Sequence, residues 1–194
     1  MTAVRVGIVG TGSVASSVHL PILTRRSDLF EIVALADLNI HAAHALADRF
    51  GIARSDCFDS PTAMVKDKEL DAILILNSGS HAEVVEMALR AGKTVFCEKP
   101  LAYSRAEMKA IEKARAESGS KLMIGYMKTF DPAVIEAQKA IKTRPRTVDV
   151  LVLHPSGDSQ LITSDESLNM PKPSNELIET FTKSRVAVQE VALG

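Results

Sequence analysis

The sequence predicts an α/β fold, in which a doubly wound parallel sheet carries helices on both faces, followed by the start of a second α+β domain. Three observations predict it. Short apolar runs rich in β-branched residues recur over residues 1–125, segments with helical periodicity separate them, and glycine or polar residues follow the runs. Strands that alternate with helices in this way are joined by right-handed crossovers, which build a parallel sheet.

The first strand leads directly into a glycine-rich turn. Val4 to Val9 is an apolar run of the kind that forms a strand buried on both faces. In the Gly-x-Gly-x-x-Ala turn that follows, Gly10 permits a tight turn, Gly12 lets the backbone approach a pyrophosphate, and Ala15 lets the next helix pack closely. Unpaired N–H groups of the first helical turn then point at the phosphates. This Rossmann-type arrangement predicts a dinucleotide-binding turn made of Gly10, Thr11, Gly12, Ser13 and Val14.

The second strand, Glu31 to Ala36, ends in Asp37. A carboxylate at this position accepts hydrogen bonds from the ribose hydroxyls and repels a 2′-phosphate. Asp37 therefore favours NAD over NADP as the cofactor. The alternative is that Asp37 only begins a turn or caps the helix expected from His41 to Phe50.

The alternation of helices and strands continues after Phe50. Ser60 and Pro61 open a short helix, and Ser104 with Glu107 fits a capping box that opens a longer one. The elements predicted after Phe50 are a helix over 62–66, a strand over 72–76, a helix over 81–90, a strand over 94–97, a helix from 105 to about 118 and a closing strand over 121–125.

The residues suited to ligand binding or catalysis all follow the carboxyl ends of predicted strands. They are the glycine turn, Asp37, the polar segment 77–81, and Glu98-Lys99-Pro100. Ligands of open parallel sheets bind in the crevice beyond these strand ends. The pattern therefore predicts one binding site that all four segments line.

Composition narrows the classes of partner. Lys and Arg number 23 against 24 Asp and Glu, and no basic run or Trp is present, which argues against nucleic acid. No apolar stretch approaches the roughly 20 residues that cross a bilayer, and no basic-then-apolar leader precedes the first strand, so we expect a soluble, cytoplasmic protein with no membrane partner. Cys57 and Cys97 are predicted to be buried, reduced thiols, and no metal site is expected.

Four segments resemble the Gfo/Idh/MocA oxidoreductases, the family of glucose-fructose oxidoreductase and inositol dehydrogenase. They are the glycine turn with His19-Leu20-Pro21, and segments 76–83, 91–101 and 125–132. Their order and spacing agree with the family over about Val4 to Pro132. One departure is Leu76-Asn77, where the family usually has Thr-Pro; an amide at Asn77 still offers hydrogen bonds to a cofactor.

The resemblance implies hydride transfer between NAD(P) and a carbinol carbon of a sugar, cyclitol or related polyol. Lys99 is the catalytic residue that the family implies, because its ammonium group lies beside the nicotinamide and the substrate hydroxyl. Glu98 is expected near the nicotinamide ribose, and Asn77 and Ser78 against the cofactor. The alternative for Glu98 and Lys99 is a solvated ion pair at a strand end.

Three further side chains carry weaker expectations. His81 either approaches the cofactor or serves as an N-terminal cap partner of its helix. His19 is expected to pack rather than to take part in catalysis. Tyr126, followed by Lys128, is placed by the resemblance at the entrance to the substrate side, although a half-buried structural tyrosine is the more common case.

The resemblance also implies a division into domains. Residues 1–125 are expected to form the dinucleotide-binding domain, and 126–194 part of a substrate or oligomerisation domain, which in the family is an antiparallel sheet that supplies an Asp and a His. A strand over 147–153, a loop over 155–175 and a helix over 176–193 are predicted there. His154 and Asp158 do not reproduce the spacing of the family's pair.

Two hypotheses for function follow. The first is an NAD-dependent oxidoreductase that acts on a small polyol or sugar, with the activity of the chain alone left open. The resemblance implies pairing as a homo-oligomer, while the sequence itself does not fix the oligomeric state. The second is a non-catalytic dinucleotide-binding module, either a redox sensor or a regulatory subunit. The residues that would shape a substrate pocket are not readable from this sequence.

Overall fold

A computed structural model describes residues 2–144, 146, 147, 149, 174–176, 178, 179, 182 and 183. Within these residues, six parallel strands form one sheet in the order β3-β2-β1-β4-β5-β6. This is the strand order of the Rossmann fold. The strands are β1 (Val4–Val9), β2 (Phe30–Ala36), β3 (Cys57–Phe58), β4 (Ala72–Ile75), β5 (Thr94–Cys97) and β6 (Leu122–Ile124).

Helices connect the strands and cover both faces of the sheet. They are α1 (Leu20–Arg25), α2 (Ile40–Phe50), α3 (Pro61–Asp67), α4 (Ala82–Arg90), α5 (Arg105–Ser118) and α6 (Pro132–Ala140). A π-helical turn, Ala15–His19, precedes α1, and 3₁₀ turns occupy Arg54–Asp56 and Met127–Phe130.

Each face of the sheet buries its own apolar cluster. Successive residues of a strand point to opposite faces, so Val6 and Ile8 pack on one side with Leu20 and Leu46, and Val9 packs on the other. The cluster around Val9 contains residues of α3, α4 and α5, including Met64, Leu89 and Ile111. The predicted doubly wound parallel sheet is confirmed, because apolar residues of helices are buried against both faces.

Most predicted elements are present with shifts of one or two residues at their ends. The capping box at the start of α5 has both of its hydrogen bonds, between the Ser104 hydroxyl and the Glu107 N–H and between the Glu107 carboxylate and the Ser104 N–H. Gly51 and Gly119 end α2 and α5 in the left-handed conformation. Five elements were not predicted: the two-residue strand β3, helix α6, the π-helical turn and the two 3₁₀ turns.

The expectations for the C-terminal part mostly fall outside the described residues. This applies to the strand over 147–153 apart from Thr147 and Asp149, to His154 and Asp158, and to most of the loop and helix expected beyond them. The division into domains at residue 125 therefore stays a prediction.

Candidate functional site

The glycine turn lies against the segment that follows β4. Gly10 has φ of +90°, and a Cβ atom there would overlap the backbone N and Cα of Asn77. Its N–H donates to the carbonyl of Ala36 at 2.8 Å, which joins the turn to the end of β2. Gly10 is therefore required twice, once by its positive φ and once by the close approach of the neighbouring backbone.

Gly12, unlike Gly10, faces open space. A Cβ atom at Gly12 would meet no atom within 4 Å, and Gly12, Ser13 and Val14 are exposed. Their N–H groups make no hydrogen bond within the described residues, because they precede the first full turn of the helix. The turn thus presents an open surface of backbone donors at the start of a helix, where an anion is stabilised.

Asp37 is held in one orientation by the chain itself. Its Oδ2 accepts the N–H of Thr11 at 2.7 Å and the hydroxyl of Thr11 at 2.8 Å, and its Oδ1 accepts the N–H of Asn39 at 2.8 Å. Asn39, not Asp37, is the N-cap of α2, and no side chain caps that end. Asp37 therefore forms a local turn with Asn39 and also points its carboxylate at the glycine turn, 26 residues away in sequence.

The segment after β4 contributes an acceptor without a partner. The Asn77 side chain donates from Nδ2 to the carbonyl of Ser78 at 3.0 Å, while its Oδ1 is buried and has no hydrogen-bond partner. A buried acceptor without a donor costs about 1–3 kcal/mol. A ligand that brings an N–H or O–H group to this position would recover that energy.

The His81 side chain bridges the segment after β4 and the turn after β5 through hydrogen bonds. The ring is 3% exposed, with Nδ1 at 2.7 Å from the carbonyl of Pro100 and Nε2 at 2.7 Å from the carbonyl of Asn77. A neutral imidazole has one N–H and donates to one of these carbonyls, whereas a doubly protonated ring donates to both. His81 is the N-cap residue of α4, but its side chain makes no capping hydrogen bond, so the capping role is not found.

Glu98 and Lys99 follow β5, and the peptide bond from Lys99 to Pro100 is cis. The backbone N–H of Lys99 donates to Oε2 of Glu98 at 3.2 Å. Lys99 is exposed, and the described residues supply no hydrogen bond or ion pair for its ammonium group. The solvated Glu98–Lys99 ion pair, weighed as the alternative, is not formed.

Glu98 pairs with a histidine instead. Nε2 of His19 lies 3.0 Å from Oε1 of Glu98, and both side chains are largely buried. The His19 ring meets the Phe96 ring edge-on, with 5.3 Å between centroids. A Cβ atom at Gly125 would come within 3.1 Å of Phe96 and 3.3 Å of Glu98, so this glycine leaves room for the pair. His19 thus packs, as expected, but it also contacts Glu98, which the sequence did not predict.

The two cysteines differ in burial. Cys97 is fully buried, and burial raises the pKa of its thiol to about 12, with the charge of Glu98 adding to the shift. Cys57 is only partly buried, which corrects the expectation that both thiols lie inside; burial and the charges of Asp56 and Asp48 raise its pKa. Both are free thiols.

The described residues place the predicted segments at one edge of the sheet, the carboxyl ends of its strands. The glycine turn, Asp37, Asn77 and Glu98 are joined there by the contacts above. Tyr126 is 52% exposed at the start of a 3₁₀ turn, so it is about half buried and both interpretations of it stand, and Lys128 is exposed. A separate groove of about 670 Å³ lies near the start of β2, lined by Thr24, Phe30, Phe50 and Ile52 among others.

The described part of the chain contains neither a membrane-spanning helix nor a cluster of metal ligands. None of its helices is both long enough and apolar enough to cross a membrane. No three His, Cys, Asp or Glu side chains in that part are grouped so that they could hold a metal ion.

Fold and site together define a dinucleotide-binding α/β protein of the Rossmann type. A family model for oxidoreductases with an NAD-binding Rossmann fold, Gfo/Idh/MocA, matches residues 4–126. The chain belongs to the Gfo/Idh/MocA oxidoreductase family.

Individual relatives agree with this membership. The chain is 34% identical over 139 residues to an inositol 2-dehydrogenase of Paracoccus denitrificans, covering 71% of this chain and 41% of that protein. Scyllo-inositol dehydrogenase from Lactobacillus casei, solved with NAD(H) and scyllo-inositol, has a TM-score of 0.65 at 25% identity over 72% of this chain and 41% of its own. A 3-ketoreductase from Actinomadura kijaniata, solved with NADP, has a TM-score of 0.63 at 29% identity over 71% and 43%. The chain thus spans about two fifths of these relatives.

Proposed function

We propose that this chain is the cofactor-binding part of an NAD-dependent oxidoreductase that transfers a hydride between the nicotinamide and a cyclitol, sugar or related polyol. The observation that carries the proposal is the convergence at one sheet edge of an open glycine turn, an oriented carboxylate at Asp37 and an unpaired ammonium group at Lys99. Each feature alone occurs in many folds, and their combination favours a dinucleotide with a reactive end.

The residues at this edge fit the cofactor. The exposed N–H groups of Gly12, Ser13 and Val14 suit the two negative charges of a pyrophosphate, and the empty space beside Gly12 admits it closely. The Asp37 carboxylate retains acceptor capacity for a ribose hydroxyl. The unpartnered Oδ1 of Asn77 suits a hydroxyl or amide donor of the same ligand.

Lys99 is the residue we assign to the chemical step. When bound, the nicotinamide ring accepts or gives the hydride. A carbinol is oxidised when its O–H proton goes to a base and its C–H hydride to the nicotinamide, which leaves a carbonyl. Negative charge develops on the oxygen during this step, and an ammonium group within hydrogen-bond reach stabilises that charge or takes part in moving the proton. The ammonium group of Lys99 is free of ion pairs within the described chain, so it is available for this role. Glu98, fixed by His19, would lie beside the nicotinamide ribose.

The substrate class rests on the relatives. Inositol is named for the Paracoccus denitrificans relative, and scyllo-inositol is bound in the Lactobacillus casei structure. A cyclitol is therefore the first substrate to test. Assembly as a homo-oligomer, the absence of a nucleic-acid partner and a cytoplasmic location stay predictions from the sequence.

Calorimetric titration with NADH tests the binding part of the proposal. We expect micromolar binding by the chain, at least ten-fold weaker binding by Gly12→Ala, where a methyl group would occupy the space left for the pyrophosphate, and little change for Lys99→Met. Absence of NADH binding by the unaltered chain would contradict the proposal.

Turnover is tested separately. With NAD⁺ and a panel of cyclitols, formation of NADH that disappears in Lys99→Met would support the enzymatic role. Tight binding of NADH with no turnover of any cyclitol, in the chain and in a longer form that supplies the rest of the relatives' length, would favour the non-catalytic sensor instead.

A further inference from the structure

Both hydrogen-bond donors of Thr11 bind the same carboxylate. It is 0% exposed, and both its N–H and its hydroxyl donate to Oδ2 of Asp37, at 2.7 and 2.8 Å. A threonine has one N–H and one O–H, so no donor is left for a phosphate. Thr11 therefore differs from Gly12, Ser13 and Val14, whose exposed N–H groups have no acceptor in the described chain. Although it sits in the glycine turn, Thr11 acts through Asp37.

The orientation of Asp37 is fixed before any ligand arrives. Two of the donors that hold it come from Thr11 and the third is the N–H of Asn39. Oδ1 and Oδ2 together offer about four lone-pair positions, of which these three donors fill three. No cation of the described chain forms an ion pair with Asp37, so no partner side chain there offsets the charge of this carboxylate.

We propose that Thr11 determines the preference for a free ribose 2′-hydroxyl over a 2′-phosphate, because its hydroxyl keeps the Asp37 carboxylate pointed at the site. The inference rests on the proposed function, since it concerns the cofactor of that same site. It assigns Thr11 as a positioning residue for selectivity, a role separate from phosphate binding by its neighbours.

The physical reason is that the Asp37 carboxylate repels a 2′-phosphate strongly only if the carboxylate cannot turn away from it. A 2′-phosphate carries close to two negative charges and is rejected when a fixed carboxylate meets it. Asp37 is only partly buried and is followed by Leu38, which is half exposed, so solvent is close. Once the hydroxyl of Thr11 is removed, the carboxylate loses one of its two bonds to the glycine turn, and rotation toward water relieves the repulsion at lower cost.

A matched set of substitutions isolates the hydroxyl. Thr11→Val keeps the shape and the backbone N–H but removes the O–H, whereas Thr11→Ser keeps the O–H and removes the methyl group. Dissociation constants for NADH and NADPH are measured by calorimetry for both variants and for the unaltered chain. We expect the ratio of NADPH to NADH dissociation constants to fall about ten-fold in Thr11→Val, the size of one hydrogen bond to a charged group, and to be retained in Thr11→Ser.

A double-substitution cycle tests whether Thr11 acts through Asp37 or only supports the fold, because only the first case makes the effect of Thr11→Val on the dissociation-constant ratio depend on Asp37. If Thr11 acts through the charge of Asp37, then Thr11→Val changes the ratio no further in a chain that already carries Asp37→Asn. Circular dichroism checks that each variant is folded, and Thr11→Ala replaces Thr11→Val should the buried valine prevent folding.

The outcomes separate this inference from the proposed function. A folded Thr11→Val or Thr11→Ala that keeps the original ratio, or that changes it equally in the Asp37→Asn background, overturns the role of Thr11 while NADH binding stands. If the unaltered chain binds neither NADH nor NADPH, the proposed function fails, and the inference fails with it.

Discussion

Two glycines of one turn have separate physical roles. Gly10 has a positive φ and faces the backbone of Asn77, so its lack of a side chain is needed by the fold. Gly12 faces open space, so its lack of a side chain is needed only by a ligand. The sequence motif already predicted a tight turn at Gly10 and close approach of a pyrophosphate at Gly12, and the structure shows what surrounds each glycine.

Substituting each glycine by alanine should reveal this difference in stability. Gly10→Ala is expected to lower the free energy of unfolding by about 2 kcal/mol or more, since it combines left-handed strain with backbone overlap. Gly12→Ala should change it by less than about 0.5 kcal/mol. Urea unfolding followed by circular dichroism measures both. Equal losses of stability in the two variants would show that the turn does not have this geometry.

The cysteines provide a second prediction at this scale. Alkylation requires a thiolate, and the raised pKa and full burial of Cys97 leave almost none below pH 9. We expect iodoacetamide to modify Cys57 in the native chain at pH 8 and Cys97 only after unfolding, as measured by mass spectrometry of peptides. Cys57→Ser is the control, and it should show no native labelling. Rapid modification of Cys97 in that variant would contradict the buried position.

The contacts that sequence reasoning missed join residues far apart in the chain. The residue types at Asp37 and Glu98 and their positions at strand ends were predictable, because strand ends follow from hydropathy. Their partners were not: Thr11 is 26 residues from Asp37, and His19 is 79 residues from Glu98. Such pairs depend on strand order and on side-chain direction, which a local pattern does not contain.

At the scale of elements, helices and strands were predictable from the sequence when they were long or had recognisable capping residues at their ends. The helix α5 was predicted with its bounds because Ser104 and Glu107 cap it and Gly119 ends it. The strand β3 has two residues, too few for any periodicity to appear. The π-helical turn before α1 has no sequence rule of its own, yet it ends at His19, which reaches Glu98.

His81 links two elements, and removing it should be costly. His81→Phe keeps a flat ring but leaves the carbonyls of Asn77 and Pro100 without their shared partner in a buried place. We expect a loss of about 2–3 kcal/mol in the free energy of unfolding, measured by urea denaturation. His41→Phe, on the exposed side of α2, serves as the control and should change stability little. A loss below about 0.5 kcal/mol for His81→Phe would contradict the bridging role.

On the scale of the whole molecule, the two edges of the sheet differ in character. The carboxyl edge gathers the glycine turn, Asp37, Asn77 and Lys99, whereas the groove near the start of β2 is lined mainly by apolar residues such as Phe30 and Ile32. Parallel strands bring their carboxyl ends together, and this explains why motifs scattered over 90 residues of sequence form one site.

This chain covers only part of the length of its relatives. The chain covers 41% of the Paracoccus denitrificans relative, and within the described residues Tyr126, Met127 and Phe130 lie exposed just after β6. The family resemblance implies that this segment lies at the entrance to the substrate side, and that stays a prediction. The sequence does not narrow the proposed substrate to one polyol, because a local sequence pattern does not give the shape of a substrate pocket.

The position at which NADH binds distinguishes the glycine turn from the groove near the start of β2. Two-dimensional amide NMR spectra recorded during titration of the chain with NADH report which backbone N–H groups change. We expect the largest shifts at Gly12, Ser13 and Val14, with further shifts at Asn77 and Lys99, and little change in the groove around Phe30. Shifts centred on that groove, or no shifts at the glycine turn, would contradict this expectation.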